Sequence, residues 1–289
     1  GDLNDLKDFD AGADTLLDLH QVQLEKPITN PGKIICVGLN YRSHIEETGR
    51  EMPKYPTLFT RYNDSLVASG EALLRPRVSE KFDFEGELAV IIGKRAFQVE
   101  DRATALEHIA GFSCFNDGSI RDFQRHTSQF TPGKNFYRSG AVGPWMVTAD
   151  ALGNGSGLTL ETRLNGEVMQ HASTDELVFD VSDLIIYISQ VMPLEPGDII
   201  STGTTGGVGY VRDPRIYLKP GDLIGTEQEL SARYGVSRIV ALRGDPPEGA
   251  GQPYVTHPDG YGSAAELVAG IDDPKLDRLL PARALGVGQ

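Results

Sequence analysis

Three carboxylates occupy alternate positions in KFDFEGELAVIIGK, residues 81–94: Asp83, Glu85 and Glu87. Alternate side chains of a strand point to one face, and the apolar run that follows is typical of a buried strand. We therefore expect the acids to converge at the edge of a core. With Asp117, which follows another apolar run, they provide hard oxygen ligands that suit Mg²⁺ or Mn²⁺. The alternative is a solvated strand end with ordinary surface acids.

A histidine and a glutamate stand three residues apart in NYRSHIEE. On a helix, this spacing places His44 and Glu47 on the same face. A carboxylate that fixes the tautomer of an imidazole makes it a general base near neutral pH. The alternative is a surface histidine beside a solvating glutamate.

Cations gather after Asp117, in SIRDFQRHTSQFTPGKNF. Arg121 offers a planar fork for a carboxylate, and Lys134 offers a point charge for a developing oxyanion. Gln124 is a further polar group in the same segment. The segment is therefore a candidate substrate-binding region, and the alternative is a loop of solvated charges.

The run STGTTGGVG, residues 201–209, combines backbone donors with hydroxyl groups after a predicted strand. Such a nest can bind a carboxylate or a phosphate. It lacks the lysine of a P-loop and the helix that normally follows one.

The elements that must position these residues are mostly strands. KIICVGLNY predicts a buried strand, and RSHIEETG predicts a short helix that ends at Gly49. Asn165-Gly166, between two alternating runs, predicts a hairpin. DVSDLIIYISQVMPL predicts a helix with an N-capping Ser or Asp, followed by the strand that leads into residues 201–209.

The net charge of −14 over 289 residues argues against a nucleic-acid partner, because such binding requires Lys and Arg to neutralise phosphates. An anionic substrate would need local cations. Cys36 and Cys114 lie in apolar runs, which predicts buried thiols and no disulfide framework. The sequence has neither an apolar stretch of about 18 residues nor a leader, so we predict no membrane span and a cytoplasmic location.

In their order along the chain, these segments resemble the fumarylacetoacetate hydrolase superfamily over about residues 33–222. The resemblance is carried by VGLNYRSHIEE, FDFEGELAVIIGK, FNDGSIRDFQ, GKNF, LNGEVMQ and LEPGDIISTGTTGGVG. It implies an α+β fold built on a mixed β-roll, a Mg²⁺ or Mn²⁺ ion, a small anionic substrate and a homodimer. It implies these site residues: metal ligands Glu85, Glu87 and Asp117; catalytic His44, Glu47 and Lys134; substrate contacts Arg121, Gln124, Thr202, Gly203 and Thr204.

The activity that the resemblance implies is carbon–carbon bond hydrolysis in a small β-diketo or 2-oxo acid of the acylpyruvate or fumarylacetoacetate type. Hydration, decarboxylation or isomerisation of an unsaturated 2-oxo diacid at the same metal site is the alternative. Fold-level analogy does not choose among them.

The C-terminal part departs from this pattern. LIGTEQELSARYGVSR resembles the start of a GntR-type winged helix, and RIVALRGDPPEGAGQPY with its continuation resembles a unit of methylenetetrahydrofolate reductase. These suggest a DNA-binding regulator or a flavin-dependent folate oxidoreductase as rival functions. A (β/α)₈ barrel needs about 250 residues, so we favour neither function.

We therefore predict a lead-in over residues 1–30, a catalytic domain over 31–225, and an atypical segment over 226–289 that is no independent domain. Within that segment, RIVAL either belongs to a free appendage or replaces the last strand of the roll.

Overall fold

The computed structural model describes residues 23–228 and 240–244. In chain order, the strands in these ranges are β1 Ile34–Gly38, β2 Thr57–Thr60, β3 Leu66–Val67, β4 Leu73–Arg75, β5 Phe82–Asp83, β6 Gly86–Ile92, β7 Ile109–Asn116, β8 Ser119–Ile120, β9 Gly140–Thr148, β10 Thr159–Leu164, β11 Glu167–Ser173, β12 Ile199–Thr204, β13 Leu223–Gln228 and β14 Val240–Gly244. The α-helices are α1 Arg42–Glu47, α2 Arg102–Leu106, α3 Arg121–Gln124, α4 Thr131–Lys134, α5 Ala149–Leu152 and α6 Val181–Val191.

The largest sheet has seven strands in the order β2-β1-β12-β6-β7-β9-β3. It is mixed. The pairs β1–β12 and β3–β9 are parallel, whereas the pairs β1–β2, β12–β6, β6–β7 and β7–β9 are antiparallel. A five-stranded sheet has the order β11-β10-β13-β14-β4, and β5 pairs with β8 alone. This arrangement, with few helices among the described residues, agrees with the predicted α+β fold.

Both faces of β6, a strand of the seven-stranded sheet, are buried. Leu88 and Val90 pack with Leu184 and Ile188 of α6 in one core cluster, while Ala89 belongs to a cluster on the other side. Burying an aliphatic side chain of this size contributes about 1.5–3 kcal/mol, so α6 fixes the sheet that carries the site. Both cysteines are buried thiols, as predicted.

Two local predictions are confirmed. Asp180 caps α6 by accepting from the backbone N–H of Asp183, and the Asp183 side chain returns the bond. Asn165 and Gly166 join β10 to β11 with φ of 51° and 84°. Positive φ at both central residues is the hairpin geometry that Asn-Gly favours.

The prediction of one continuous acidic strand is wrong. Asp83 ends β5, which pairs with β8, whereas Glu87 lies in β6, which pairs with β7. Glu85 lies in the short connection between β5 and β6. The chain therefore changes sheets between the first and third acids, because β5 belongs to the two-stranded sheet with β8 and β6 belongs to the seven-stranded sheet.

Near its described end, the chain adds backbone to the five-stranded sheet. β14 pairs antiparallel with β13 and parallel with β4. This corresponds to the alternative in which RIVAL supplies a strand, and β13 runs across the boundary predicted at residue 225. Most of the winged-helix and reductase resemblances lies outside the described residues, as do residues 1–22 of the lead-in.

Candidate active site

Adjacent strands bring together the three predicted metal ligands. Glu87 lies in β6, and Glu85 directly precedes that strand. Asp117 directly follows β7, which pairs with β6. The N–H of Asp117 donates to the carbonyl of Glu85 at 2.8 Å. One carboxylate oxygen from each residue lies within 4.8 Å of the others, and all three residues are buried. We call Glu85, Glu87 and Asp117 the carboxylate cluster.

Two members of the carboxylate cluster are paired with buried cations. Lys134 Nζ lies 2.6 Å from Oε2 of Glu85 and 2.6 Å from Oδ2 of Asp117. Burial raises the pKa of the Glu85 carboxyl, but the positive charges of Lys134 and Arg121 outweigh burial and lower it to about 2. Glu85 is therefore ionised at neutral pH.

The third member of the carboxylate cluster, Glu87, accepts hydrogen bonds from uncharged donors. Ser201 Oγ and the N–H of Gly203 donate to its Oε2 at 2.5 and 2.9 Å. Burial, and then the negative charges of Asp117 and Glu85, raise the pKa of Glu87 well above its usual value. Buried carboxylates this close resist joint ionisation, and hard oxygen donors prefer divalent cations such as Mg²⁺. The carboxylate cluster therefore fits a divalent cation.

The predicted acid–base pair lies on α1. His44 Nδ1 is 2.6 Å from Oε1 of Glu47, and His44 is buried. A carboxylate partner places the proton on Nδ1, which leaves Nε2 as the basic nitrogen. Oε2 of Glu47 accepts the N–H of Gly207 at 2.7 Å, so both carboxylate oxygens are held.

The predicted substrate contacts on α3 lie directly beside the carboxylate cluster. Arg121 donates to Oε1 of Glu85 at 2.5 Å and to Oδ2 of Asp83 at 2.8 Å. Gln124 Oε1 accepts from the same guanidinium at 3.0 Å. The guanidinium thus orients Glu85, and the role of Arg121 and Gln124 in substrate binding stays a prediction.

Three further predicted substrate contacts belong to a strand. Thr202, Gly203 and Thr204 lie in β12, where the two threonine hydroxyls donate to the carbonyls of Leu88 and Gly86 at 3.0 Å. These bonds connect β12 to β6 at the point where the register between the two strands shifts. Substrate contact by these three residues stays a prediction.

The predicted anion nest over residues 201–209 binds carboxylates of the chain itself. Backbone N–H groups of Gly203, Gly207 and Gly209 donate to Glu87, Glu47 and Asp83, respectively. One segment therefore orients a candidate metal ligand, the partner of His44 and the partner of Arg121.

Sequence reasoning missed Arg61, which is 2% exposed. Its guanidinium donates to Oδ1 of Asp117 at 2.6 Å and to Oγ of Ser139 at 2.8 Å. Arg61 follows β2 as a lone cation, so no local spacing points to Asp117. A buried arginine needs a charged partner, and the contact becomes visible when β1, β2 and β7 share one sheet.

The fold and this site define a class, and the chain belongs to the fumarylacetoacetate hydrolase family. Residues 33–240 match the family model described as fumarylacetoacetate (FAA) hydrolase C-terminal. That match extends beyond the predicted limit of residue 222 and lends no support to the resemblances to a winged helix or a folate reductase.

Named relatives include tautomerases, isomerases and hydrolases. The chain is 39% identical over 215 residues to the mitochondrial oxaloacetate tautomerase Fahd2a of Rattus norvegicus, covering 74% of this chain and 68% of that protein. The 5-carboxymethyl-2-hydroxymuconate delta-isomerase of Mycobacterium smegmatis has 33% identity and a TM-score of 0.67, covering 78% and 83% of the two chains. The fumarylacetoacetate hydrolase of psychrophilic Exiguobacterium antarcticum has 34% identity and a TM-score of 0.72, covering 83% and 86%.

Across the described residues, no helix combines the length and hydrophobicity needed to span a bilayer.

Proposed function

We propose that this chain is a divalent-metal-dependent tautomerase or isomerase that moves a proton on a small 2-oxo acid. The observation that carries the proposal is that one short segment holds both parts of the site: the N–H of Gly203 donates to Glu87 of the carboxylate cluster, and the N–H of Gly207 donates to Glu47, the partner of His44. The names of the rat tautomerase and the mycobacterial isomerase favour this reaction class over carbon–carbon hydrolysis.

Glu85, Glu87 and Asp117 would hold the cation, for which we propose Mg²⁺ or Mn²⁺ because all three donors are hard oxygens. When bound, the cation would supply Lewis-acid polarisation of the 2-oxo acid and acidify its C–H bond. Lys134 adds a fixed positive charge. Burial alone would lower the pKa of Lys134, but Asp117 and Glu85 raise it above its usual value, so the ammonium stays charged.

His44 transfers the proton. Its Nε2 accepts a proton from the carbon next to the keto group and returns it to oxygen, or to a different carbon, as the bonds rearrange. Glu47 holds Nδ1–H and stabilises the imidazolium that forms in between. Gly207 in turn holds Glu47, so the base is oriented before the substrate arrives.

Carbon–carbon hydrolysis is a second candidate, favoured by the similarity to the Exiguobacterium hydrolase. In that reaction, His44 would take its proton from water rather than from carbon. The homodimer, the small anionic substrate and the cytoplasmic location stay predictions beside both candidates.

Product identification separates the two reactions. The metal-loaded protein is incubated separately with enol oxaloacetate and with acetopyruvate, and the products are followed by NMR. We expect faster conversion of enol to keto oxaloacetate and no acetate from acetopyruvate. His171→Ala, at an exposed histidine of β11, is the control for His44→Ala. Rapid release of acetate and pyruvate would instead identify a hydrolase.

A further inference from the structure

Asp83 lies outside the carboxylate cluster, although it belongs to the same run of alternating acids. Its side chain is fully buried. Oδ1 accepts the N–H groups of Phe84 and Gly209, both at 2.9 Å. Oδ2 accepts the N–H of Tyr210 at 2.9 Å and the Nε–H of Arg121 at 2.8 Å. A carboxylate has about four lone-pair sites, so these bonds leave Asp83 no site for a cation.

The two-stranded sheet places Asp83 beside Arg121. Asp83 of β5 pairs with Ser119 of β8, and α3 begins at Arg121, directly after β8. The N–H of Arg121 donates to the carbonyl of Lys81 at 2.9 Å. The guanidinium is thereby held against the carboxylate, with Nη2 2.7 Å from Oδ2 of Asp83. Because both side chains are buried, Asp83 and not solvent determines where the guanidinium lies.

The same guanidinium reaches the carboxylate cluster. Its Nη1 lies 2.5 Å from Oε1 of Glu85, while Nζ of Lys134 lies 2.6 Å from Oε2. Each oxygen of Glu85 thus has its own cationic partner, and Arg121 orients the first of them. Hydrogen-bonded partners behind a metal ligand fix its direction, and the loss of one typically weakens metal binding by about 10–100-fold. A displaced guanidinium would therefore alter the affinity of the cluster for a cation.

We propose that Asp83 is a positioning residue of the metal centre, which acts through Arg121 on Glu85. The proposal rests on the proposed function for the assignment of Glu85 as a metal ligand. It replaces the interpretation of Asp83 as a further hard oxygen ligand. Since Gly209 donates to the same carboxylate, the loop after β12 also contributes to the orientation of Glu85.

Calorimetric titration with Mg²⁺ tests this role without requiring turnover. Asp83→Asn replaces one oxygen by an NH₂ group, whose hydrogens face donors of the chain, so we expect about tenfold weaker Mg²⁺ binding. Asp83→Glu keeps the negative charge but moves the carboxylate by one methylene group. We expect a similar loss, because the position of the carboxylate matters and not only its charge. Urea unfolding verifies that each variant is folded, and the test needs only one folded variant.

Asp122→Asn is the matched control, because Asp122 is the neighbour of Arg121 on α3 and its carboxylate accepts from Oγ of Ser79 at 2.7 Å. This variant should keep the wild-type affinity for Mg²⁺. Arg121→Lys keeps the charge but loses the planar fork, and should also weaken Mg²⁺ binding by about tenfold. The double variant Asp83→Asn/Arg121→Lys should bind little more weakly than either single variant, since Asp83 acts through the guanidinium.

Wild-type Mg²⁺ affinity in the folded variants of Asp83 would overturn the proposal. Additive losses in the double variant would overturn it too, because they would mean that Asp83 acts on the cation independently of Arg121. Weaker Mg²⁺ binding by Asp83→Asn, in a protein whose wild type shows no metal-dependent proton transfer, would refute the proposed function alone. Metal-dependent proton transfer together with unchanged Mg²⁺ affinity in the Asp83 variants would refute the role of Asp83 alone.

Discussion

The backbone N–H of Gly207 donates a 2.7 Å hydrogen bond to Oε2 of Glu47, whose other oxygen lies 2.6 Å from Nδ1 of His44. The loop after β12 is thereby coupled to the candidate base on α1. Gly207 has a φ of 99°, and a Cβ there would lie 2.3 Å from the carbonyl oxygen of Met169. Glycine is therefore required at this position.

Gly207→Ala should displace the loop, release Glu47 and lower kcat by about 10² because the base is misplaced. The control is Gly153→Ala at the end of α5, where φ is 66° and a Cβ would meet no atom within 4 Å. That variant has the backbone strain without the clash, so its kcat should be normal. Steady-state kinetics on both variants decide the point, and equal losses would disprove the coupling.

His44→Ala should reduce kcat by about 10² to 10⁴, the scale for losing a positioned general base. Glu47→Gln should cause a loss of the same order, and the double variant should lose little more, since the pair acts as one unit. Glu46→Gln, at the exposed neighbour, serves as the control. Additive effects of the two substitutions would mean that His44 and Glu47 act independently.

Metal binding should release about one proton, and Glu87 should supply it. Its pKa is raised well above the ordinary 4.5, so at pH values below the folded pKa the metal-free protein holds a proton there that the cation must displace. The pKa of Glu85 is about 2, so that group is already ionised and releases none. Apparent affinity should therefore rise with pH until it passes the folded pKa of Glu87.

Calorimetry in buffers of different ionisation enthalpy counts the released protons. Glu87→Gln should bind the metal more weakly and release no proton. A wild-type protein that binds Mg²⁺ or Mn²⁺ without releasing a proton would contradict the assignment of Glu87. The same shift predicts that the metal-free protein loses stability as pH rises from the unfolded value, about 4.5, through the folded pKa.

Arg61→Ala should lower the free energy of unfolding by about 3–5 kcal/mol, because it breaks a buried ion pair and leaves Asp117 without one of its partners. Arg95→Ala removes an exposed pair with Glu195 and should cost about 0–1 kcal/mol. Urea unfolding of the metal-free proteins measures both changes. Similar losses of unfolding free energy in the two variants would show that the buried pair of Arg61 and Asp117 stabilises the fold no more than an exposed pair does.

Local signals predicted the elements that depend on near neighbours. The Asn165-Gly166 turn and the capped helix α6 are each determined within a few residues, and the alternating acids indicated a cluster. The break between Asp83 and Glu87 was not predictable, because the alternation of side chains says nothing about which sheet each half joins.

Long-range contacts account for the other differences between the predictions from the sequence and the structure. Arg61 and Asp117 are 56 residues apart, and nothing near either residue indicates the pair. The run of backbone donors over residues 201–209 indicated anion binding, but the identity of the anions depends on the packing of β12 against β6 and α1. In the structure, the backbone donors of this run bind three carboxylates of the chain itself.

The most direct test of the central claim measures how the enol-to-keto conversion of oxaloacetate depends on the cation and on His44. The rate is followed by the loss of enol absorbance after chelation and dialysis, and again after Mg²⁺ or Mn²⁺ is restored. If proton transfer depends on the metal, the metal-free protein should convert the enol only at the background rate. The rate should recover on titration with either ion. His44→Ala should stay at the background rate even when it is fully loaded with metal. Full activity in a protein shown to be metal-free, or in metal-loaded His44→Ala, would contradict metal-dependent proton transfer.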